Sequence, residues 1–312
     1  MVTNNVTENK AGVWPVMLTP FTETGEVDYD SLGRLVEWYE ENGAAGLFAV
    51  CQSSEVFFLS LEERVKIAEY VCRKARIPVI ASGHISYGMA DQEEELKRIA
   101  ETGVAAVVLI TNRMAAEYEA PEAWRARLEK LMEALPQSMP LGFYECPYPY
   151  KRLLSDEEIA FSAGTGRFQF LKDTCCDLAV IQRRLGILKG TPLKLFNANT
   201  ATLLDSLRSG GAGFSGVMAN FHPELYAWLC ENWEVYPKEA EELQAALTLC
   251  SFIEKQLYPT NAKHYLKEKG ILSSDYCRTQ DHTQMSPLFC DEVKQMERVV
   301  QFVEKALPNF SK

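Results

Sequence analysis

The chain has 312 residues, of which 47% are hydrophobic and 24% are charged, a composition typical of soluble globular proteins. Its formal net charge of −11 argues against nucleic acid or an anionic membrane as the main partner, although a local pocket can oppose that sign and bind a small anion. No stretch approaches the roughly 18 apolar residues of a membrane-spanning helix, so we expect no membrane partner.

Spacing also disfavours metal and disulfide chemistry. The nine cysteines include no C-x-x-C and the four histidines form no H-E-x-x-H, so we expect no bound metal. We expect the cysteines to be free thiols, as in a protein of the reducing cytoplasm. The opening segment "MVTNNVTENKAG" has no apolar run, which argues against a signal peptide or a membrane anchor. We predict a flexible N-terminus over residues 1–11.

Beyond this segment, short apolar runs alternate with segments of helical apolar spacing. In chain order the runs are "VWPVMLTPF", "GLFAVC", "IPVIASG", "AAVVLIT", "MPLGFYECP", "RFQFLKD", "LKLFNAN" and "AGFSGV". A helical pattern lies between each successive pair; one of them, "SLEERVKIAEYVCRKA", opens at Ser60 with a capping box. The alternation predicts parallel strands joined by right-handed crossovers.

Eight such units predict an α/β fold, a (β/α)8 TIM barrel, over residues 12–220. An open doubly wound sheet is the alternative, but the turn "LTPFTETGEVD" is not the G-x-G-x-x-G that such a sheet normally carries. After Val217 only helical patterns follow, so we predict a C-terminal helical extension over residues 221–312.

The active sites of such barrels lie at the C-terminal ends of the strands. Reading the strand ends therefore gives the candidate pocket residues. They are Gln52, Ser53, Ser54, Tyr144, Lys172, Thr174, Asn197 and Ser215.

Lys172 directly follows the apolar strand "FQFL". Apolar surroundings disfavour an ammonium ion, so the pKa of this amine should fall. A neutral amine can attack a ketone and form an imine, which after protonation withdraws electrons and lets an adjacent carbon–carbon bond form or break. The alternative is a structural lysine paired with an acid such as Asp173.

Two further features are compatible with this chemistry. Tyr144 ends the preceding strand, and its phenol could move protons at the reaction centre, or it could simply fill the barrel mouth. The "QSSE" turn after the second strand offers hydroxyl and N–H groups that can hold a carboxylate, or it could be an ordinary polar loop.

Together these segments resemble the dihydrodipicolinate synthase/N-acetylneuraminate lyase superfamily of Schiff-base pyruvate aldolases. "LTPFTETGEVD" is similar to its opening turn, "CQSSE" to its G-T-T-G-E, "FYECP" to its Y-N-x-P, "FLKDT" to its lysine strand and "SGGAGFSGVMAN" to its eighth strand. The likeness extends from about Gly12 to Asn220 and, more loosely, into the helical tail.

The resemblance implies roles for the candidates. Lys172 would form the imine with pyruvate or another 2-keto acid, and Tyr144 would relay protons. Ser53 and Ser54 would hold the keto-acid carboxylate, and Thr174 would touch the substrate chain. The resemblance implies no cofactor beyond this covalent imine, and a homodimer or homotetramer.

Several positions depart from the family pattern. Gln52 replaces the hydroxyl that usually follows the tyrosine in the proton relay, and Ser54 replaces a glycine. Arg113 and Met114 stand where many members have two tyrosines, and Pro149 stands where the synthases keep an arginine. Sialic acid lyases favour an acidic pair after the seventh strand, where this chain has "NANT".

These departures disfavour both well-known activities and leave three hypotheses. The first is a lyase that makes or cleaves a carbon–carbon bond of a 2-keto acid, with a 2-keto-3-deoxy sugar acid as the expected substrate. The second is a dehydratase that uses the same imine. The third is a non-catalytic keto-acid-binding barrel.

Overall fold

The computed structural model describes residues 12–116 and 118–310. The predicted flexible segment, 1–11, lies outside them. The eight strands are Gly12–Val13 (β1), Leu47–Ala49 (β2), Val79–Ala81 (β3), Ala106–Ile110 (β4), Leu141–Tyr144 (β5), Phe168–Asp173 (β6), Lys194–Asn197 (β7) and Gly213–Phe214 (β8). The helices are Tyr29–Glu41 (α1), Leu61–Lys74 (α2), Met89–Ala100 (α3), Pro121–Ala134 (α4), Asp156–Gly164 (α5), Leu178–Leu188 (α6), Leu203–Arg208 (α7), Pro223–Asn232 (α8), Pro237–Cys250 (α9), Thr260–Glu268 (α10) and Pro287–Glu304 (α11).

The strands form one parallel sheet in the order β1-β8-β7-β6-β5-β4-β3-β2. A parallel bridge between Val16 and Phe48 joins the two ends of that order, so the sheet curls round on itself. At the β1–β8 seam the backbones approach so closely that a Cβ on Gly213 would overlap the carbonyl oxygen of Gly12. The prediction of a TIM barrel with a C-terminal helical extension is confirmed.

Local sequence signals explain where elements begin and end. Ser60 accepts a hydrogen bond from the Glu63 N–H while the Glu63 carboxylate accepts one from the Ser60 N–H, so the predicted capping box starts α2. The first strand is shorter than its apolar run because Pro15, which has no N–H, follows soon after Val13.

Side chains alternate between two cores along each strand. On β6, Phe170 points into the barrel and Leu171 points out toward the helices. Inside the barrel the Phe170 ring stacks on Phe196 with centroids 4.5 Å apart, and it lies 5.5 Å from Trp14. This aromatic layer fills the barrel below its C-terminal mouth and makes that mouth a closed cup rather than a channel.

Four helices follow β8. Helix α8 contacts β1 and β8, while α9 and α11 pack on each other and α10 packs on α11. The division of the chain at residue 220 stays a prediction. In the part of the chain that the structure describes, no helix has the length and apolar character needed to cross a bilayer.

Two histidines are completely buried, His84 after β3 and His222 before α8. His84 Nε2 accepts a hydrogen bond from the Ile110 N–H, and its Nδ1 lies 3.2 Å from the Gln92 side-chain oxygen, so the ring is neutral. Burial lowers the pKa of His84 to about 4 and that of His222 to about 3.

These pKa values predict an acid-sensitive fold. Because both pKa values are lower in the folded protein than the ordinary 6.5, the unfolded chain binds more protons below about pH 6.5, and stability falls with pH through that window. Between pH 7 and pH 5 we expect each histidine to remove about 2 kcal/mol from the free energy of unfolding. Urea unfolding at the two pH values measures this loss.

His222→Phe is the matched variant, because it removes the titrating group and keeps an aromatic ring. The rings of His222 and Tyr226 stack with centroids 5.6 Å apart, and a phenyl ring can keep this contact. We expect this variant to show about half of the wild-type loss between pH 7 and pH 5. An unchanged pH dependence in the variant would contradict the assignment to His222.

Candidate active site

The alternation of β5 and β6 brings Tyr144 and Lys172 together at the barrel mouth. The two residues are direct partners in the β5–β6 register, and both side chains point to the inner face. Lys172 Nζ lies 4.6 Å from the centroid of the Tyr144 ring. The amine and the phenol therefore share one small space, as the sequence predicts.

The Lys172 amine is buried and makes no direct ion pair among the described residues, although the Glu254 carboxylate acts on its charge from a longer distance. Lys172 is 4% exposed, and no carboxylate in the described part of the chain forms an ion pair with it. Burial lowers the pKa of Lys172 from its ordinary value, and burial raises the pKa of the Tyr144 phenol. A larger fraction of the amine is then neutral near pH 7, which is the nucleophilic form.

The nearby acids are paired with a different cation. Glu145 and Asp173 point outward from β5 and β6, and the Arg184 guanidinium of α6 forms ion pairs with both carboxylates. Glu145 also accepts hydrogen bonds from the Leu154 N–H at 2.8 Å and from the Thr174 N–H at 3.1 Å. The alternative of a structural Lys172–Asp173 pair is therefore wrong, and Arg184 fixes the two strand ends instead.

The "QSSE" segment forms a tight 3-10 turn, Gln52–Ser54, after β2. Gln52 Oε1 accepts a weak hydrogen bond from the Tyr144 hydroxyl at 3.5 Å and one from the Cys146 thiol at 3.3 Å. The Gln52 amide thus occupies the position of the relay hydroxyl. Its oxygen can accept a hydrogen bond from Tyr144, but unlike a hydroxyl it has no proton of its own to pass on.

The two serines of this turn have different roles. Ser54 donates its hydroxyl to the Met17 carbonyl at 2.6 Å, and its N–H bonds the Cys51 carbonyl at 3.0 Å. Ser53 instead faces the cavity, where its oxygen accepts a hydrogen bond from the Tyr258 hydroxyl at 2.8 Å. Of the two, Ser53 is the one whose hydroxyl is available to a ligand.

Three other candidates lie at their predicted strand ends. Thr174 lines the cavity, although its hydroxyl donates to the Glu145 carbonyl at 2.8 Å. Asn197 bonds the Thr202 hydroxyl and the Asn199 N–H, and Ser215 donates to the Trp14 carbonyl at 2.9 Å. The side chains of Asn197 and Ser215 support the local backbone and are not part of the cavity wall.

The cavity at the barrel mouth has a volume of about 390 Å³. Five candidates predicted from the sequence line it together: Gln52, Ser53, Tyr144, Lys172 and Thr174. Glu55, the last residue of the predicted "QSSE" turn, also lines the cavity. The sequence analysis missed the rest of the wall, which includes Phe57, Tyr148, Val217, Tyr258, Thr279 and Gln280. In the sequence, the Tyr258-Pro259 dipeptide indicates a loop between two helical patterns. Because site residues often lie on loops, this was the one signal that could have pointed to Tyr258.

Part of the cavity wall is tied to the C-terminal helices by a buried ion pair. Glu55 has a left-handed backbone conformation, φ 59°, and its carboxylate lies 2.5 Å from Lys263 Nζ. The same carboxylate accepts hydrogen bonds from the N–H groups of Arg278 and Thr279 at 2.6 and 2.8 Å. These contacts of Glu55 therefore hold the loop after β2 and the C-terminal extension together on one side of the cavity.

Of the positions that depart from the family pattern, Arg113 and Met114 are packed within the chain and Pro149 is not. The Arg113 guanidinium lies between the rings of Phe57 and Tyr87, 4.9 and 4.6 Å from their centroids, and Met114 is fully buried. Pro149 is exposed. The next cations are also engaged, because Lys151 donates to the Thr174 carbonyl at 2.6 Å and Arg152 pairs with Glu158.

A larger groove of about 920 Å³ lies on the outside, between α9 and α11. Its wall is mainly aliphatic and aromatic, with Leu249, Phe252 and Phe302 prominent. None of the strand-end candidates lies in it, so the chemistry belongs to the smaller cavity.

The Arg184 cluster gives a prediction about stability. Arg184→Met would leave two buried carboxylates without their cation, so we expect a loss of about 3–5 kcal/mol in the free energy of unfolding. The neighbouring Arg183 forms an exposed pair with Asp156, and Arg183→Met should change stability by less than about 1 kcal/mol. Urea unfolding of both variants measures the difference; equal effects would contradict the role given to Arg184.

Comparison with known proteins agrees with this geometry. The profile of the Dihydrodipicolinate synthetase family matches residues 9–301. The 4-hydroxy-tetrahydrodipicolinate synthase of Coxiella burnetii (strain RSA 493 / Nine Mile phase I) is 28% identical over 265 residues, 82% of this chain and 87% of that protein. The enzyme of the same name from Jannaschia sp. (strain CCS1) is 30% identical over 220 residues, 69% of this chain and 72% of that protein.

Solved structures share the fold. The chloride-inhibited dihydrodipicolinate synthase of Acinetobacter baumannii superposes with a TM-score of 0.83 at 22% identity, covering 94% of this chain and 99% of that one. A prophage protein of the dihydrodipicolinic acid synthase family from E. coli K12 gives 0.77 at 21% identity, covering 94% and 98%. Because the family profile spans nearly the whole sequence, the chain belongs to the dihydrodipicolinate synthetase family, a class of Schiff-base, pyruvate-dependent lyases.

Proposed function

We propose that this protein is an aldolase that forms an imine between Lys172 and a 2-keto acid and then makes or breaks a carbon–carbon bond of that acid. The observation that carries the proposal is the Lys172 amine, which is buried beside the Tyr144 ring and makes no direct ion pair among the described residues. An unpaired buried amine is costly for stability alone, whereas a nucleophile needs that environment.

The chemistry assigned to each group follows from its position. The Lys172 amine attacks the keto carbon, giving a carbinolamine that loses water to form the protonated imine. Tyr144 moves the protons of this step, since its ring lies beside the amine. In the cleavage direction, the hydroxyl on the carbon beyond the breaking bond loses its proton and becomes the carbonyl of the released aldehyde, while the electrons of that bond flow into the protonated imine and form an enamine. The enamine is then protonated on carbon, and hydrolysis of the resulting imine releases the keto acid and restores the Lys172 amine. The proposal includes no cofactor.

The keto-acid carboxylate is assigned to Ser53. Its hydroxyl faces the cavity, whereas both the hydroxyl and the N–H of Ser54 are engaged with backbone carbonyls. Two family structures, from Acinetobacter baumannii and E. coli K12, were solved in complex with pyruvate, which supports a pyruvate-type acid as the bound end of the substrate.

The rest of the cavity indicates an uncharged, hydroxylated second part of the substrate. Its polar wall consists mainly of amides and hydroxyls, as in Gln52, Thr279 and Gln280, while Phe57 and Tyr148 supply aromatic surface. The cations nearest to Pro149 already have partners. We therefore propose a 2-keto-3-deoxy sugar acid as the substrate, cleaved to pyruvate and a hydroxyaldehyde. A dehydratase using the same imine would release a dehydrated keto acid instead, and product analysis separates the two.

Trapping the imine tests the proposal. Incubation with pyruvate and borohydride should add one reduced pyruvyl group per chain, and peptide mapping should place it on Lys172. Lys151 is the matched control, because its amine donates a hydrogen bond to the carbonyl of Thr174, a residue of the cavity wall, but does not line the cavity itself. Lys151→Met should still form the adduct, and Lys172→Met should form none.

The same assay examines Tyr144. Tyr144→Phe should still be trapped while turnover falls by about 10²–10⁴-fold, the usual contribution of a general acid–base group. An adduct on another lysine, or none with any 2-keto acid, would overturn the mechanism.

A further prediction concerns substrate choice. Aspartate semialdehyde, the second substrate of the synthases, carries its own carboxylate, and a charged hydrogen bond to it is worth roughly 1.5–3 kcal/mol. Pro149 carries no charge, and of the described cations that follow it, Lys151 donates to the Thr174 carbonyl and Arg152 pairs with Glu158. We therefore expect the condensation of aspartate semialdehyde with pyruvate to be about 10- to 100-fold less efficient than that of glyceraldehyde, in kcat/KM. Pro149→Arg should reduce this difference in kcat/KM, because the arginine can bind the second carboxylate.

Steady-state assays with both aldehydes on the purified protein measure this ratio. A kcat/KM for aspartate semialdehyde equal to or above that for glyceraldehyde would contradict the proposed specificity.

A further inference from the structure

Tyr258 belongs to the C-terminal extension, yet it forms part of the cavity wall with Lys172 and Ser53. Its hydroxyl lies 2.8 Å from Ser53 Oγ and 2.9 Å from Asn220 Nδ2. Residues far apart in the chain thus meet in one short hydrogen-bond chain that ends at the carboxylate site.

The direction of each hydrogen bond in this chain follows from chemistry. Asn220 Nδ2 lies 3.0 Å from the Val16 carbonyl oxygen, which can only accept, so that atom is the amide nitrogen. The Tyr39 hydroxyl, which can donate, bonds the opposite atom, Asn220 Oδ1. The amide orientation is therefore fixed from both sides.

The orientation of Asn220 decides where the Tyr258 proton points. The second N–H of the amide donates to the Tyr258 oxygen, so the single phenol proton goes to Ser53 Oγ. Ser53 accepts this bond, and its own proton is then left for the cavity. Burial raises the pKa of Tyr258, so the phenol keeps its proton at neutral pH.

We propose that Tyr258, held by Asn220, is a positioning residue that turns the Ser53 hydroxyl into a fixed hydrogen-bond donor for the carboxylate of the keto acid. The inference rests on the proposed function, because it assigns the substrate carboxylate to Ser53. It makes keto-acid binding depend on the docking of the C-terminal extension onto the barrel.

A double-mutant cycle on pyruvate trapping tests this role. Tyr258→Phe should raise the pyruvate concentration for half-maximal borohydride trapping by about 3- to 10-fold, the effect of one hydrogen bond, and leave the maximal adduct unchanged. Because Tyr258 acts through Ser53, the double variant with Ser53→Ala should be no weaker than Ser53→Ala alone. Additive effects would overturn the proposal.

Hydroxyacetone, a ketone without a carboxylate, provides the second measurement. Its half-maximal trapping concentration should be the same in the wild type and in Tyr258→Phe, whereas a general disturbance of the pocket would shift it together with that of pyruvate. A parallel shift of both ligands would therefore reduce Tyr258 to a packing residue.

Asn220→Asp tests the same hydrogen-bond direction if Tyr258→Phe does not fold. The new carboxylate accepts the phenol proton, which releases Ser53 from its fixed orientation while Tyr258 stays in place. We expect the same selective weakening for pyruvate, and an unchanged value would overturn the inference. If the wild type forms no adduct with any 2-keto acid, the proposed function fails as well; a wild-type adduct with an unshifted Tyr258→Phe value rejects the inference alone.

Discussion

The buried amine of Lys172 is the constraint on which the rest of the structure depends. An ammonium ion at this place would need a carboxylate in direct contact, and no described carboxylate forms an ion pair with Lys172, so burial lowers the pKa of the amine. The aromatic layer of Phe170, Phe196 and Trp14 below it keeps the surroundings apolar. The barrel interior therefore supplies the electrostatic condition for imine chemistry as well as stability.

A second requirement is that nearby acids must be kept away from that amine. Strand alternation turns Glu145 and Asp173 outward, and Arg184 neutralises both while joining the ends of β5 and β6. The same two strands carry Tyr144 and Lys172 on their inner face. The Arg184 guanidinium thus joins the two strand ends that carry Tyr144 and Lys172 and makes no ion pair with Lys172 itself.

The C-terminal helices complete the site from outside the barrel. Lys263 holds Glu55 after β2, and Tyr258 bonds Ser53 in the same loop. Both contacts reach the segment that faces the cavity. Residues of the extension and of the loop after β5 therefore line the same cavity as Lys172 and Tyr144 at the strand ends.

The strand–helix alternation determined the barrel in advance, and the two-residue period of β6 determined that Lys172 shares the inner face with Phe170. Tyr144 and Ser53 followed from their places at strand ends. The sequence did not show that Ser54, Asn197 and Ser215 support backbone carbonyls or neighbouring turns, because hydroxyl and amide groups at strand ends have either role with the same local pattern. It also did not reveal Tyr258, since the contact with Ser53 joins residues 205 positions apart. Only tertiary packing decides which residues of a loop between helices meet the barrel mouth. That choice depends on how the whole apolar faces of the flanking helices are buried, and the local periodicity of the loop sequence does not encode it.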